Sequence, residues 1–209
     1  MVPRRLTLFG ALAAFVACAP APASDGGGST TVEGMDPQGP SAVAVACEPS
    51  QNMPVEGRAS PYDSTAFNIG GERSLVCYGR PSVRGRTVFG DLVPYGQLWR
   101  TGANEPTVIH LPVAASIAGI EVGPGSYSLY TVPNEQEWEV VVNRATDQWG
   151  IENQYEAVAD KEVGRATVPA ESTSGLVEVF EIRAEPRGDS ADLILAWENS
   201  QIRIPVDPR

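Results

Sequence analysis

The feature that most limits the fold of this chain is a period of two in its hydrophobic residues from Thr65 onward. Apolar residues at every second position are clearest in 137–142, 192–197 and 201–206. This alternation is typical of antiparallel strands that turn one face towards a core. We therefore predict an all-β fold, an antiparallel β-sandwich or jelly-roll-like single domain, over residues 58–209.

Further strands are predicted where β-forming residues lie between turn signals. They are 65–69, 73–78, 106–113, 116–122, 125–132 and 176–184. Gly70-Gly71 and Gly123-Pro124-Gly125 supply two of the turns, because glycine and proline interrupt regular structure. A weak helical pattern covers about 151–163. We find no internal repeat and no second domain.

Residues 1–17 have the pattern of a signal peptide. Two arginines precede an apolar stretch at 6–17, which is too short to span a bilayer permanently. The segment 15–18, Phe-Val-Ala-Cys, resembles the site where bacterial lipoproteins are cleaved before a cysteine that carries lipid. We expect lipid on Cys18. The alternative is an ordinary signal peptide cut a few residues later, which would discard this cysteine.

Residues 18–57 are predicted to be a disordered linker. Ala, Pro, Gly, Ser and Thr dominate 19–46, which has no aromatic residue, so this segment buries too little apolar surface to offset the entropy of ordering. A linker that begins at a lipidated Cys18 predicts an exported protein held by its lipid at the bacterial cell envelope, at the outer membrane or on the periplasmic face. The membrane is then one of its partners.

The formal net charge of −11 limits the class of partner. So acidic a chain repels the phosphate backbone, and we predict no nucleic-acid partner. Removal of the signal takes away two arginines and no acid. The exported form is therefore more negative still, and its surface is not attracted to anionic lipid.

If Cys18 carries lipid, Cys47 and Cys77 are the two cysteines that remain. Outside the cytoplasm such a pair favours a disulfide, which would tie the end of the linker to an early strand. The alternatives are two unpaired thiols, or a metal-binding thiol at Cys77, because spacing alone fixes no distance.

The segment 79–106 interrupts the alternation. It contains five glycines, three prolines and four arginines, together with large apolar residues such as Phe89 and Trp99. A long irregular segment inside a compact domain is usually either functional or disordered. The apolar side chains predict that this one is packed, so we expect it to be functional.

The arginines of this segment predict a binding site. Guanidinium groups suit carboxylate, phosphate and sulfate, and neighbouring aromatic rings suit a sugar or another ring. We predict a site for a small anionic or sugar-like ligand, or for an envelope protein. Its candidate residues are Arg80, Arg86, Trp99, Arg100, Asn104 and Trp149. The alternative is that Arg80 and Arg100 pair with internal acids, such as Asp91 and Glu105, and only hold the loop.

Several long motifs resemble the bacterial family DUF2911. They are Tyr-Gly-Arg-Pro-Ser-Val-Arg-Gly-Arg at 78–86, the run from Val-Phe-Gly-Asp-Leu to Thr-Gly-Ala-Asn-Glu at 88–105, Pro-Gly-Ser-Tyr-Ser-Leu-Tyr-Thr-Val-Pro at 124–133, Trp-Glu-Val-Val-Val-Asn at 138–143 and Gln-Trp-Gly at 148–150. The resemblance covers about 58–206 and implies an exported, mostly β protein of unassigned function. Family members often have Ser-Pro-His where this chain has Ser60-Pro61-Tyr62, so a metal site built on that histidine is not expected here.

His110 is the only histidine in the chain, which excludes a site of several histidines. Its neighbours predict a strand, on which it faces away from the most apolar side. We predict no cofactor, metal or catalytic set. The rival hypothesis is an envelope hydrolase or metal-dependent enzyme that combines His110 with Cys77 or a carboxylate. A third hypothesis is a structural envelope protein without a small ligand.

Overall fold

The structure is a computed structural model that describes residues 46–49, 54–150 and 152–209. The predicted signal peptide, Cys18 and most of the predicted linker lie outside these residues. The described part is almost entirely antiparallel β-sheet, which confirms the predicted fold class. Within the same residues, no helix has both the length and the apolar character needed to cross a membrane.

The described residues form nine strands and one 3-10 helix. The strands are β1 (Tyr62–Ile69), β2 (Glu72–Gly79), β3 (Thr107–Leu111), β4 (Ala115–Ile117), β5 (Ile120–Val122), β6 (Gly125–Pro133), β7 (Glu137–Asn143), β8 (Glu162–Arg187) and β9 (Ser190–Pro208). The 3-10 helix, Glu152–Lys161, lies where the sequence shows a weak helical pattern.

The strands form one continuous sheet in the order β1-β2-β3-β6-β7-β8-β9-β4-β5. The long strand β8 joins the two halves, because Glu162–Pro169 pairs with β7 and Ala170–Arg187 pairs with β9. β1 lies at one end of this order and also contacts β8 and β9. Across this contact the Thr65 hydroxyl of β1 donates to the Ile182 carbonyl oxygen of β8. From the adjacent strand β2, the Tyr78 hydroxyl accepts the backbone N–H of Ile182 at 3.0 Å. The sheet therefore folds over on itself, in a sandwich-like arrangement.

A cluster of aromatic rings lies in the apolar core. Trp99 and Trp197 stack with their ring centres 5.7 Å apart, and Phe89 lies 4.8 Å from Trp138. Each large apolar side chain buried in this way stabilises the fold by about 1.5–3 kcal/mol. Because Phe89 and Trp99 come from the irregular segment 79–106, that segment is packed into the core, as its composition predicts.

Several of the predicted strand boundaries are wrong. The predicted strand 176–184 is only part of β8. The segment 116–122 is two strands, β4 and β5, because Ala118 and Gly119 take positive φ angles of 49° and 86° and reverse the chain. The segments 192–197 and 201–206 belong to the single strand β9, which contains Glu198 at a φ of 54° where the pairing with β8 shifts register. Alternation on both sides of such an irregularity predicts two strands although the backbone continues as one.

Cys47 and Cys77 form the predicted disulfide. Their Cα atoms are 5.7 Å apart, and the bond joins residues separated by 30 positions. Cys77 is fully buried in β2, so the bond fixes residues 46–49 to the domain. In the chain-entropy model, closing such a loop stabilises the folded state by about 3–4 kcal/mol.

Candidate functional site

The irregular segment lines most of a cleft of about 490 Å³. Its contributions lie within 81–86, 92–94 and 97–104, while Ala59 and Ser60 come from the chain before β1. Trp197 of β9 is also part of the lining. A concavity of this size accommodates a small organic molecule.

Close backbone contacts bring the two arms of the segment together. A Cβ on Gly79 would lie 2.1 Å from the carbonyl oxygen of Ala103, so any side chain at position 79 would push the 100–104 turn away. Trp99 and Thr131 exchange backbone hydrogen bonds of 2.7 and 2.9 Å, which attach the same turn to β6. The 100–104 wall of the cleft is therefore held by strands rather than left as a free loop.

Thr101 has a strained backbone within this wall. It is fully buried, and its φ is +59°, a conformation that β-branched residues rarely adopt. Three hydrogen bonds hold it. Its hydroxyl donates to the Trp99 carbonyl oxygen at 3.3 Å and lies 3.1 Å from that of Thr131, and the Thr107 hydroxyl donates to its carbonyl oxygen at 2.6 Å. Such strain costs about 1–3 kcal/mol and is concentrated at functional sites.

Glu198 holds the other arm. Its two carboxylate oxygens accept the backbone N–H groups of Val88 and Phe89, both at 3.1 Å. Hydrogen bonds from backbone amides to a carboxylate are stronger than neutral ones. They fix the chain that follows the arginine-containing turn at 84–86.

Arg84 and Arg86 line the cleft, and neither forms an ion pair with any described residue. The Arg84 Nη2 donates to the carbonyl oxygen of Ala59 at 2.7 Å. Arg86 donates from Nε to Val83 at 3.0 Å and from Nη2 to Ser82 at 2.7 Å. These carbonyl groups orient the guanidinium groups without neutralising them, although the Glu178 carboxylate lies near and accepts the backbone N–H of Arg84 at 2.9 Å.

Arg80 and Arg100 are placed differently. Arg80 does not line the cleft: it forms an ion pair with Asp63 at 2.9 Å and donates to the carbonyl oxygen of Phe180 at 3.2 Å. It therefore holds the loop, as the alternative proposed, although its partner is neither Asp91 nor Glu105. Arg100 lines the cleft and donates to the carbonyl oxygen of Asn104 at 3.3 Å.

The remaining sequence candidates are Trp99, Asn104 and Trp149, and not all of them line the cleft. Trp99 and Asn104 line the cleft, but Trp99 is only 5% exposed and its indole N–H donates to Gly102 at 3.1 Å. Trp149 does not line the cleft. Its neighbour Gly150 donates to the Asn104 carbonyl at 3.1 Å, so the Trp149 loop packs against the wall of the cleft.

The family model DUF2911, described as a protein of unknown function, matches residues 60–206. The chain belongs to the DUF2911 family. The match covers β1 to β8 completely, β9 as far as Val206, and the whole irregular segment. No curated protein and no solved structure matches the chain.

Most of the residues that line the cleft in the DUF2911 domain were not among the candidates from sequence, and Arg84, Leu92 and Trp197 are three examples. Arg84 belongs to the same Arg-Gly-Arg run as Arg86, so the sequence could have identified it as a candidate by that run. Trp197 lies in a regularly alternating strand, and nothing in that pattern distinguishes a residue beside a cleft from any other core residue.

His110 of the DUF2911 domain lies outside the cleft. It is half-buried, and its Nδ1 lies 2.7 Å from the Ser126 hydroxyl. Burial lowers its pKa, and Glu48 opposes this effect by raising it. Cys77 offers no thiolate to a metal because it is in the disulfide. Within the described residues, no group of three or more His, Cys, Asp and Glu side chains is placed to hold a metal ion.

Proposed function

We propose that this DUF2911 protein is a lipid-anchored binding protein of the bacterial cell envelope, which holds a small anionic ligand in the cleft beside Arg84 and Arg86. The observation that carries the proposal is that both guanidinium groups line the cleft without forming an ion pair with any described residue.

The electrostatics of the chain support an anion at this place. The protein has a net charge of −11, so two arginines that line one cleft without an ion pair to any described residue form a local exception. A guanidinium has five N–H donors, and the carbonyl groups of Ala59, Ser82 and Val83 use only part of this capacity. The remaining donors are available for charge-assisted hydrogen bonds to a carboxylate, phosphate or sulfate.

The proposed location is supported by two features of the chain. The apolar stretch before Cys18 and the small polar residues after it have the pattern of an anchored, exported protein. The Cys47–Cys77 disulfide is the kind of bond that persists in an oxidising compartment.

Titration of the purified full-length protein with inorganic phosphate and with sulfate tests the anion site. We expect saturable binding that weakens by about tenfold or more when Arg84→Gln and Arg86→Gln are combined, since each change removes charge-assisted hydrogen bonds. Arg73→Gln is the matched control, because Arg73 is exposed on β2 and does not line the cleft. Equal binding by the double variant and the control would contradict the proposal.

One observation favours the rival enzyme hypothesis. The 2.7 Å distance between His110 Nδ1 and the Ser126 hydroxyl is the separation that a nucleophile and its general base require. Neither residue lines the cleft, so this pair would need a different substrate surface. Hydrolysis of activated esters that is lost in both Ser126→Ala and His110→Gln would establish the enzyme and displace the binding role.

A further inference from the structure

We infer that the ligand of this cleft is an amphipathic organic anion, whose acidic group lies at Arg84 and Arg86 while an apolar body lies against Leu92 and the neighbouring wall. The inference rests on the proposed anion-binding function and adds the chemical class of the ligand.

The first support is the apolar wall of the cleft. Leu92, Val93, Pro94 and Leu98 all line the cleft that contains the two arginines. Leu92 is 44% exposed and is one of only four large hydrophobic residues exposed in the described part of the chain. An apolar body placed on Leu92 would remove this surface from water, which is favourable in proportion to the area covered.

The second support is the stacked pair of indole rings beside the cleft. Trp197 lines the cleft and is 1% exposed, yet its indole nitrogen has no hydrogen-bond partner among the described residues. The indole N–H of its stacking partner Trp99 is satisfied by the Gly102 carbonyl. The Trp197 indole nitrogen is itself buried, so the stacked rings of Trp99 and Trp197 back the cleft with apolar surface and not with an accessible donor.

The same lining disfavours two other classes of anion. An inorganic anion would use the arginines and leave most of the cleft of about 490 Å³ in contact with water. A sugar phosphate would find polar partners in Gln97 and Asn104, but any hydroxyl group that it placed against Leu92 would meet a side chain that offers no hydrogen bond. Losing the hydration of hydroxyl groups without new partners costs free energy.

The test compares three probes that share one charged group. Isothermal titration calorimetry with the purified full-length protein measures the affinity for inorganic phosphate, glucose 6-phosphate and 1-naphthyl phosphate. We expect 1-naphthyl phosphate to bind about tenfold or more tightly than either of the other two. Leu92→Ala should reduce this preference by about threefold or more, whereas Leu176→Ala should leave it unchanged. Leu176 is the matched control because it is 61% exposed and does not line the cleft.

The outcomes separate this inference from the proposed function. If the three phosphates bind equally and binding is lost on combining Arg84→Gln with Arg86→Gln, the anion site stands and the amphipathic class is wrong. If 1-naphthyl phosphate binds equally well to that double variant, its attraction is only hydrophobic and the inference is overturned. If no phosphate binds, both the function and the inference fail. A preference that depends on Leu92 and on the arginines together supports the inference.

Discussion

Arg58 and Glu105 form a buried ion pair, in which Nη1 of Arg58 lies 2.9 Å from both carboxylate oxygens of Glu105. Their side chains are only 1% and 6% exposed. The pair joins the chain before β1, which carries Ala59 and Ser60 of the cleft, to the end of the irregular segment. The arrangement of the cleft therefore depends on a contact between residues 47 positions apart.

Glu105→Gln should destabilise the protein strongly. The change removes the negative charge that Glu105 places against the buried Arg58, and breaking a buried ion pair in this way costs about 3–5 kcal/mol. Chemical denaturation measures the loss. Glu121→Gln is the control, since Glu121 forms an exposed pair with Arg209 that contributes at most about 1 kcal/mol. Equal effects of the two substitutions would show that the Arg58–Glu105 pair contributes no more than a surface pair.

Reduction of the disulfide should lower the free energy of unfolding. Cys47→Ser combined with Cys77→Ala is expected to cost about 3–4 kcal/mol, because the unfolded chain regains the entropy of an open loop. Denaturation with and without a reducing agent measures this. The wild type should respond to the reductant and the double variant should not; a wild type with the same stability under both conditions would contradict the prediction.

Stability should fall as the pH rises from about 10 to about 12. Burial, followed by the charge of Glu105, raises the pKa of Tyr62 to about 12, and burial is the main cause that raises the pKa of Tyr155 to about 12. In this window the folded state keeps both protons while the unfolded chain releases them, so unfolding is favoured. Tyr62→Phe and Tyr155→Phe should each flatten the decline, as measured by denaturation at a series of pH values. If the tyrosinate absorbance of the folded wild type rose fully near the ordinary pKa of tyrosine, the raised pKa values of Tyr62 and Tyr155 would be contradicted.

His110 should destabilise the protein in acid. Burial lowers its pKa in the folded state, so below the ordinary pKa of about 6.5 the unfolded chain takes up a proton that the folded protein does not. Stability therefore falls as the pH drops below that value, until the folded-state pKa is passed. His110→Gln should remove this part of the pH dependence, and unchanged slopes in the variant would assign the effect to other groups.

Cys18→Ala should release the protein from the membrane. Without the cysteine no lipid can be attached, and acyl chains contribute about 0.8 kcal/mol per buried methylene to membrane binding. Cell fractionation should find the wild type with membranes and the variant in the soluble fraction. Mass spectrometry of the mature wild type should show a lipid-modified N-terminal Cys18. An unmodified chain that begins at Met1 would contradict both export and anchoring.

The sequence predicted features that depend on neighbouring positions. A period of two shows an antiparallel β fold because successive side chains of a strand face opposite sides. The prediction was wrong where Ala118 and Glu198 take positive φ angles, since both are residue types that adopt this conformation only when their surroundings impose it. The irregular segment was identifiable as a packed insertion because apolar residues and arginines within it interrupt this period, and it lines most of the cleft.

Only the tertiary structure decided which of those residues form the cleft. Arg80 is held by Asp63 and the Phe180 carbonyl, and so it is separated from Arg84 and Arg86, although all three lie within one short run. Trp197 reaches the cleft from a strand about a hundred positions away along the chain. Local periodicity determines which way a side chain faces. Long-range packing determines which residues surround the side chain and whether its charge is neutralised, and no local sequence pattern predicts that packing.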